Sequence, residues 1–191
     1  MARITPLEGR TTPLVLRLLN LASRRLYGQD MAPAKVLAHN QRFLLASLGM
    51  SLFAQGKTRL DPAIRLLAMH LVAEINGCSW CLDFGAAVAQ RRRIDAAKLR
   101  AVGEYATSPL FTPAERAALA YTAEATQVGA RVAETTFAAL RTHFSEREVV
   151  ELTAAVAAEN FYNRFNAPLE IEAQGFCALP VRGVASERRS A

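Results

Sequence analysis

Aromatic residues are scarce in this chain, at 7% of 191 positions, while alanine and leucine recur throughout. That balance disfavours β-sheet, which draws on β-branched and aromatic side chains, and favours close-packed helices. Lysine is nearly absent as well: 3 of the 23 basic residues (Lys35, Lys57 and Lys98), the rest being arginine. The net charge of +6 is spread over scattered arginines, whose runs include Arg91-Arg92-Arg93 at a helix end and Arg188-Arg189 in a Ser/Ala-rich tail. Cations at a helix C-terminus complement its dipole without any partner, and no basic stripe alternates with aromatics, so no nucleic-acid partner is expected.

The first ten residues contain Arg3, Pro6, Glu8 and Arg10 in place of an apolar export segment, which leads to the expectation of a cytoplasmic protein. The most apolar stretch, Leu44 to Ala54, is too short to span a bilayer and is broken by Gly49, so no membrane association is expected. Cysteine and histidine are limited to three each. Beyond Cys78 and Cys81, a zinc ion would have to draw on Cys177, His39, His70 and His143, with no second Cys-x-x-Cys or His-x3-His pair. Neither a metal nor an organic cofactor is expected.

With 51% hydrophobic residues and a mean hydropathy of +0.10, the chain fits one domain with a substantial core. Start and stop signals divide it into about eight helices joined by short connections that suit antiparallel packing. Thr12-Pro13 opens the first, closed by Gly28, and Pro33 opens a second that runs to Gln55-Gly56. Asp61-Pro62 starts the third, where Ile64, Leu67, Ala68, Leu71, Val72 and Ile75 mark one apolar face. Asn76-Gly77 stops it, and a new helix follows over Ser79–Arg92. Asp95 caps a segment reaching Ala106. Thr112-Pro113-Ala114-Glu115 and Ser145-Glu146-Arg147-Glu148 are capping boxes, the second opening a helix to Asn166. A soft boundary near Thr58 separates an N-terminal helical pair (1–57) from the remainder (58–168), followed by an arm and tail (169–191).

The stretch that carries chemistry is Cys78-Ser79-Trp80-Cys81. At a helix start the two sulfurs share one side, and the unpaired N–H groups and dipole favour thiolate over thiol. A disulfide closed across this spacing reads as a cycling bond rather than a staple. The same spacing also occurs as half of a zinc site, or as two buried cysteines without chemistry.

The run Arg65-Leu-Leu-Ala-Met-His-Leu-Val-Ala-Glu-Ile-Asn-Gly-Cys-Ser-Trp-Cys81-Leu-Asp-Phe-Gly85 resembles the signature of the carboxymuconolactone decarboxylase and alkyl hydroperoxidase D-like (AhpD-like) proteins. The likeness extends from Asp61 through Asn166. It implies an all-α fold, a homo-oligomer, and a dithiol that reduces hydroperoxides and is re-reduced by a thiol partner. Carried over, Cys81 is the peroxide-attacking cysteine and Cys78 the resolving one. The peroxidase branch has a histidine four residues after the second cysteine and a glutamate twelve before the first; here those positions are Gly85 and Leu66. Spacing nominates Glu74 and Asp83 as substitutes, each read first as a solvated or capping carboxylate. His70 and His143 reach the thiols only through the fold, His70 ranking ahead because it lies on the helix leading to the dithiol.

Trp80, the only tryptophan, reads as packing at a crowded helix junction, with a stacking platform as the alternative. Asn160, Asn163 and Arg164 either face the thiols or serve a subunit contact, and Cys177 reads as a lone thiol. The expected function is a thiol-dependent redox protein reducing a hydroperoxide or a protein disulfide. The alternatives are a non-catalytic oligomer with a degenerate proton relay, or an enzyme of the decarboxylase type.

Overall fold

The computed structural model describes residues 2–9 and 12–177. These form nine α-helices and no strand: α1 (Leu14–Tyr27), α2 (Ala32–Leu37), α3 (Gln41–Gln55), α4 (Pro62–Ile75), α5 (Ser79–Arg91), α6 (Ala96–Arg100), α7 (Pro113–Thr126), α8 (Glu134–Arg141) and α9 (Glu146–Asn166). A 3-10 turn, Val102–Glu104, follows α6. The all-α expectation holds, with one more helix than expected. The extra helix arises where the segment from Pro33 to Gln55 divides: Asn40 turns its side chain back to accept the Phe43 N–H at 3.1 Å, capping α3 separately from α2. The segment expected to reach Ala106 leaves the α conformation after Arg100 and continues as the 3-10 turn.

Local signals account for the other ends. Asp61 accepts from the N–H groups of Ala63 and Ile64 while Pro62 fills the first turn. Both capping boxes are closed on each side, Thr112 with Glu115 and Ser145 with Glu148. Gly28 ends α1 at φ 81°, a conformation in which a side chain would be strained.

α4 is the central helix, packed against α5, α7 and α9. One face places Ala68 and Val72 against Ala118, Leu140 and Leu152; another sets Leu67 and Leu71 against Leu99, Val102 and Leu119. Fully burying a leucine stabilises the fold by roughly 1.5–3 kcal/mol, so this two-sided core holds α4 rigidly. The dithiol is thereby fixed in space, because Asn76 and Gly77 carry the chain from α4 directly into α5. No helix among the described residues is long and apolar enough to cross a membrane. The arm is seen as far as Cys177; the tail with Arg188-Arg189 lies outside the described residues.

Candidate functional site

Cys78 is the N-cap of α5 and its sulfur accepts the Cys81 N–H at 3.4 Å. The two cysteines are joined as a disulfide with Cα atoms 5.3 Å apart. Both are buried, at 3% and 6% exposure, yet they are not equivalent. Cys81 lines a cavity of about 430 Å³ and Cys78 does not. The cavity is walled by α1, α2 and α3 on one side and by α4, α5 and α9 on the other, with leucines, Met69, Trp80 and Phe84 supplying most of its surface.

α9 brings two polar side chains to the sulfurs and a third, Glu159, to one of those two. Asn163 donates to Cys81 Sγ at 3.0 Å, and Asn166 Nδ2 lies 3.5 Å from Cys81 Sγ and 3.8 Å from Cys78 Sγ. Asn163 also donates to Glu159 Oε1 at 2.7 Å. The direction of these bonds is dictated from a main-chain carbonyl. Val156 O can only accept, so Asn160 turns Nδ2 toward it at 3.0 Å and presents Oδ1 to Asn76. Asn76 must then donate, to Asn160 at 2.9 Å and to Asn163 Oδ1 at 3.0 Å. Asn163 is left with only donors for Glu159 and Cys81, and a donor on the sulfur favours its anionic form.

Glu159 is 8% exposed, and burial pushes its carboxyl up to about 7, against the smaller opposing effect of Asn163. It lines the cavity beside Cys81. His70 also reaches the wall, at 4% exposure, with Nδ1 unpartnered. Burial lowers its pKa to about 4, so its ring is uncharged at neutral pH. A Cβ at Gly85 would stand 3.1 Å from His70 Nδ1. The imidazole arriving from α4 thus sits beside Gly85, one turn beyond Cys81 on α5.

The other nominated residues are placed elsewhere. Glu74 directs its carboxylate at Gly103 in the 3-10 turn. Asp83 is buried and accepts four main-chain N–H groups of the arm, from Gln174, Gly175, Phe176 and Cys177, at 2.7–3.0 Å. It is a capping carboxylate, for the arm rather than for a helix. His143 and Arg164 are exposed, and His39, also exposed, lies 2.9 Å from Thr5 O. Trp80 stacks on Phe84 with centroids 5.0 Å apart and donates to Gln174 Oε1 at 2.7 Å; it both packs and lines the cavity. Cys177 sits 3.9 Å from Gln90 Oε1 as a free thiol.

Glu159 and Asn166 have no role in the sequence reading, although a signal for them exists. The buried stripe of α9 runs Val149, Leu152, Val156, Glu159, Asn163, Asn166 at helical spacing. Its last three members are polar where the period calls for apolar residues.

Residues 43–124 match the model of the carboxymuconolactone decarboxylase family. The uncharacterized protein YnjA of Escherichia coli (strain K12) is 32% identical over 169 residues, which cover 88% of this chain and 93% of that protein. The crystal structure of the debrominase Bmp8 superposes with a TM-score of 0.79 at 23% identity, over 91% of this chain and 92% of that one. The AhpD core of a peroxidase-related protein from Ralstonia eutropha JMP134 gives 0.80 at 19% identity, over 92% and 94%. At these identities the two solved structures establish the fold.

Proposed function

The chain belongs to the carboxymuconolactone decarboxylase/AhpD-like family, and from that premise we propose that it is a redox protein, a dithiol hydroperoxidase served by Glu159 and His70. The carrying observation is that Cys81 faces the cavity with Glu159 beside it, the two linked by one donating amide, Asn163.

In the reduced protein, Glu159 accepts the Cys81 thiol proton; with a pKa of about 7, about half of the molecules hold it ready to do so at neutral pH. The Cys81 thiolate attacks the terminal oxygen of R–O–OH, the O–O bond breaks, and Cys81 becomes a sulfenic acid. The leaving alkoxide takes the proton from Glu159 and departs as R–OH, with neutral His70 hydrogen-bonded to it. Cys78, at the α5 N-terminus, then attacks the sulfenic sulfur, water leaves, and the disulfide forms. A small dithiol returns two electrons and two protons. Asn166 Oδ1, buried without a partner beside the oxidised pair, is an acceptor suited to an S–H of the reduced pair.

Burial of both cysteines, at 6% exposure or less, supports a peroxide that enters the cavity lined by Cys81 over a protein disulfide, whose bulk hinders its approach. The reading as a non-catalytic member rests on Leu66 and Gly85, and the convergence of Glu159 and His70 on the same cavity weakens it.

The test is to treat the reduced full chain with tert-butyl hydroperoxide and count free thiols while following Trp80 fluorescence. The expected fall is from three thiols to one, reversed by dithiothreitol and absent in Cys81→Ser. Three free thiols after excess peroxide would sink this reading.

A further inference from the structure

The dithiol occupies one end of the cavity, and the opposite end is cationic. α4 and α5 run antiparallel, with His70 against Gly85. Arg65 lies five residues back along α4 and Arg92 seven residues on along α5, so both stand at the end remote from Cys81, and both line the cavity. At 1.5 Å per residue, Cys81 and Arg92 are roughly 16 Å apart along the helix.

Arg65 is 1% exposed. Its guanidinium donates to Gly56 O at 2.8 Å and to Thr58 Oγ1 at 2.9 Å, two neutral acceptors at the end of α3. Among the described residues no carboxylate forms an ion pair with it. After burial, the strongest charge effect on it comes from Arg92, a second cation, which lowers its pKa; Glu151 acts against this more weakly. Glu151 is itself engaged by the N–H groups of Arg59 and Leu60 and by Arg147. A buried cation next to another cation is costly unless an anion meets it. The rest of the lining is apolar, apart from a neutral imidazole, a few hydroxyl and amide groups, and a carboxyl that holds its proton up to about pH 7.

We propose that the cavity binds a long-chain carboxylate laid along α5, its chain among Leu19, Leu26, Leu37, Leu48 and Met69 and its carboxylate against Arg65 and Arg92. The hydroperoxide presented to Cys81 is then one carried on a fatty-acid-like chain. A planar guanidinium fork matches a carboxylate, and the volume lies in the range of sites that enclose small ligands. The fate of the chain rests on the hydroperoxidase reading; its binding does not.

Binding is therefore measured on the oxidised full chain, by calorimetric titration with dodecanoate and with 1-dodecanol, both non-reactive. Dodecanoate is expected to bind about tenfold or more tightly than the alcohol, the effect of one charge-assisted hydrogen bond. Arg92→Gln, at a side chain that reaches solvent, should narrow that preference to about threefold or less with unfolding unchanged. Equal binding of acid and alcohol, binding of neither, or a full preference retained in Arg92→Gln would each overturn the proposal. Dodecanoate binding without peroxide turnover would remove the hydroperoxidase and leave the site. Turnover of tert-butyl hydroperoxide without dodecanoate binding would do the reverse.

Discussion

Replacing Glu159 by glutamine should make the protein slower and, increasingly as pH rises above about 4.5, more stable than wild type. The folded carboxyl holds its proton up to about pH 7, whereas an unfolded glutamate releases it near its ordinary value of 4.5. Between those values the folded state binds more protons, so stability falls as pH rises. At 1.36 kcal/mol per unit, the loss reaches about 3 kcal/mol by pH 7. His70 acts with the opposite sign. Its folded pKa of about 4 lies below the ordinary 6.5, so the unfolded state binds more protons between those values and stability rises with pH by about 3 kcal/mol. From pH 4.5 to 6.5 the two slopes oppose, and the contribution of this pair to the wild-type curve is nearly flat. Glu159→Gln keeps an acceptor for Asn163 at the 2.7 Å contact but removes the falling limb. The variant should therefore gain on wild type by about 1.4 kcal/mol per pH unit across this window. Urea unfolding of both oxidised proteins at pH 4.5, 5.5, 6.5 and 7.5 gives the difference directly, and other titrating groups cancel in it. A pH-independent difference would refute the reasoning, as would peroxide oxidation of the reduced variant at the wild-type rate, since a lost general base should cost roughly 10²–10⁴-fold.

Cys78→Ser should stop after the first step, leaving a Cys81 sulfenic acid that dimedone labels, while Cys81→Ser should give no labelling at position 78. Asn163→Leu removes the donor shared by Cys81 and Glu159; the Cys81 thiol pKa should rise, read as a shift of the iodoacetamide alkylation profile to higher pH, with about 1–3 kcal/mol of stability lost. Asp83→Asn confronts four main-chain donors with an amide that brings donors of its own. A loss of about 3 kcal/mol or more should lower Tm by roughly 6–12 °C and expose the arm to limited proteolysis; an unchanged digestion pattern would contradict its role as the clamp.

Much of the fold is written in local signals. Asp61-Pro62, the two capping boxes, Gly28 and the apolar face of α4 act within one or two helical turns, so their outcome depends little on the rest of the chain. The division at Asn40 was equally local but obscured, because Val36, Leu37, Phe43 and Leu44 keep an apolar pattern across a break that a single side chain makes. Cys78 at the start of α5 belongs with the legible features: the Asn76-Gly77 stop and the helix after it place two sulfurs on one side without reference to any other element.

The carboxylate proposed to serve those sulfurs is a different matter. Glu74 is four residues from Cys78 and Glu159 is 78 residues from Cys81, yet Glu159 shares Asn163 with the sulfur while Glu74 meets Gly103. Asp83, two residues from Cys81, is taken by the arm. Proximity along the chain sets which helix a residue occupies; burial against a partner helix sets what its side chain meets. The sequence by itself determined the helices, their ends and the position of the dithiol, because backbone hydrogen bonds and caps close within four residues. Only the packing of α9 and of α1–α3 onto the α4–α5 hairpin decided which titratable groups meet beside Cys81, the room beside Gly85 that His70 occupies and the apolar cavity, because each depends on surfaces brought together from distant parts of the chain.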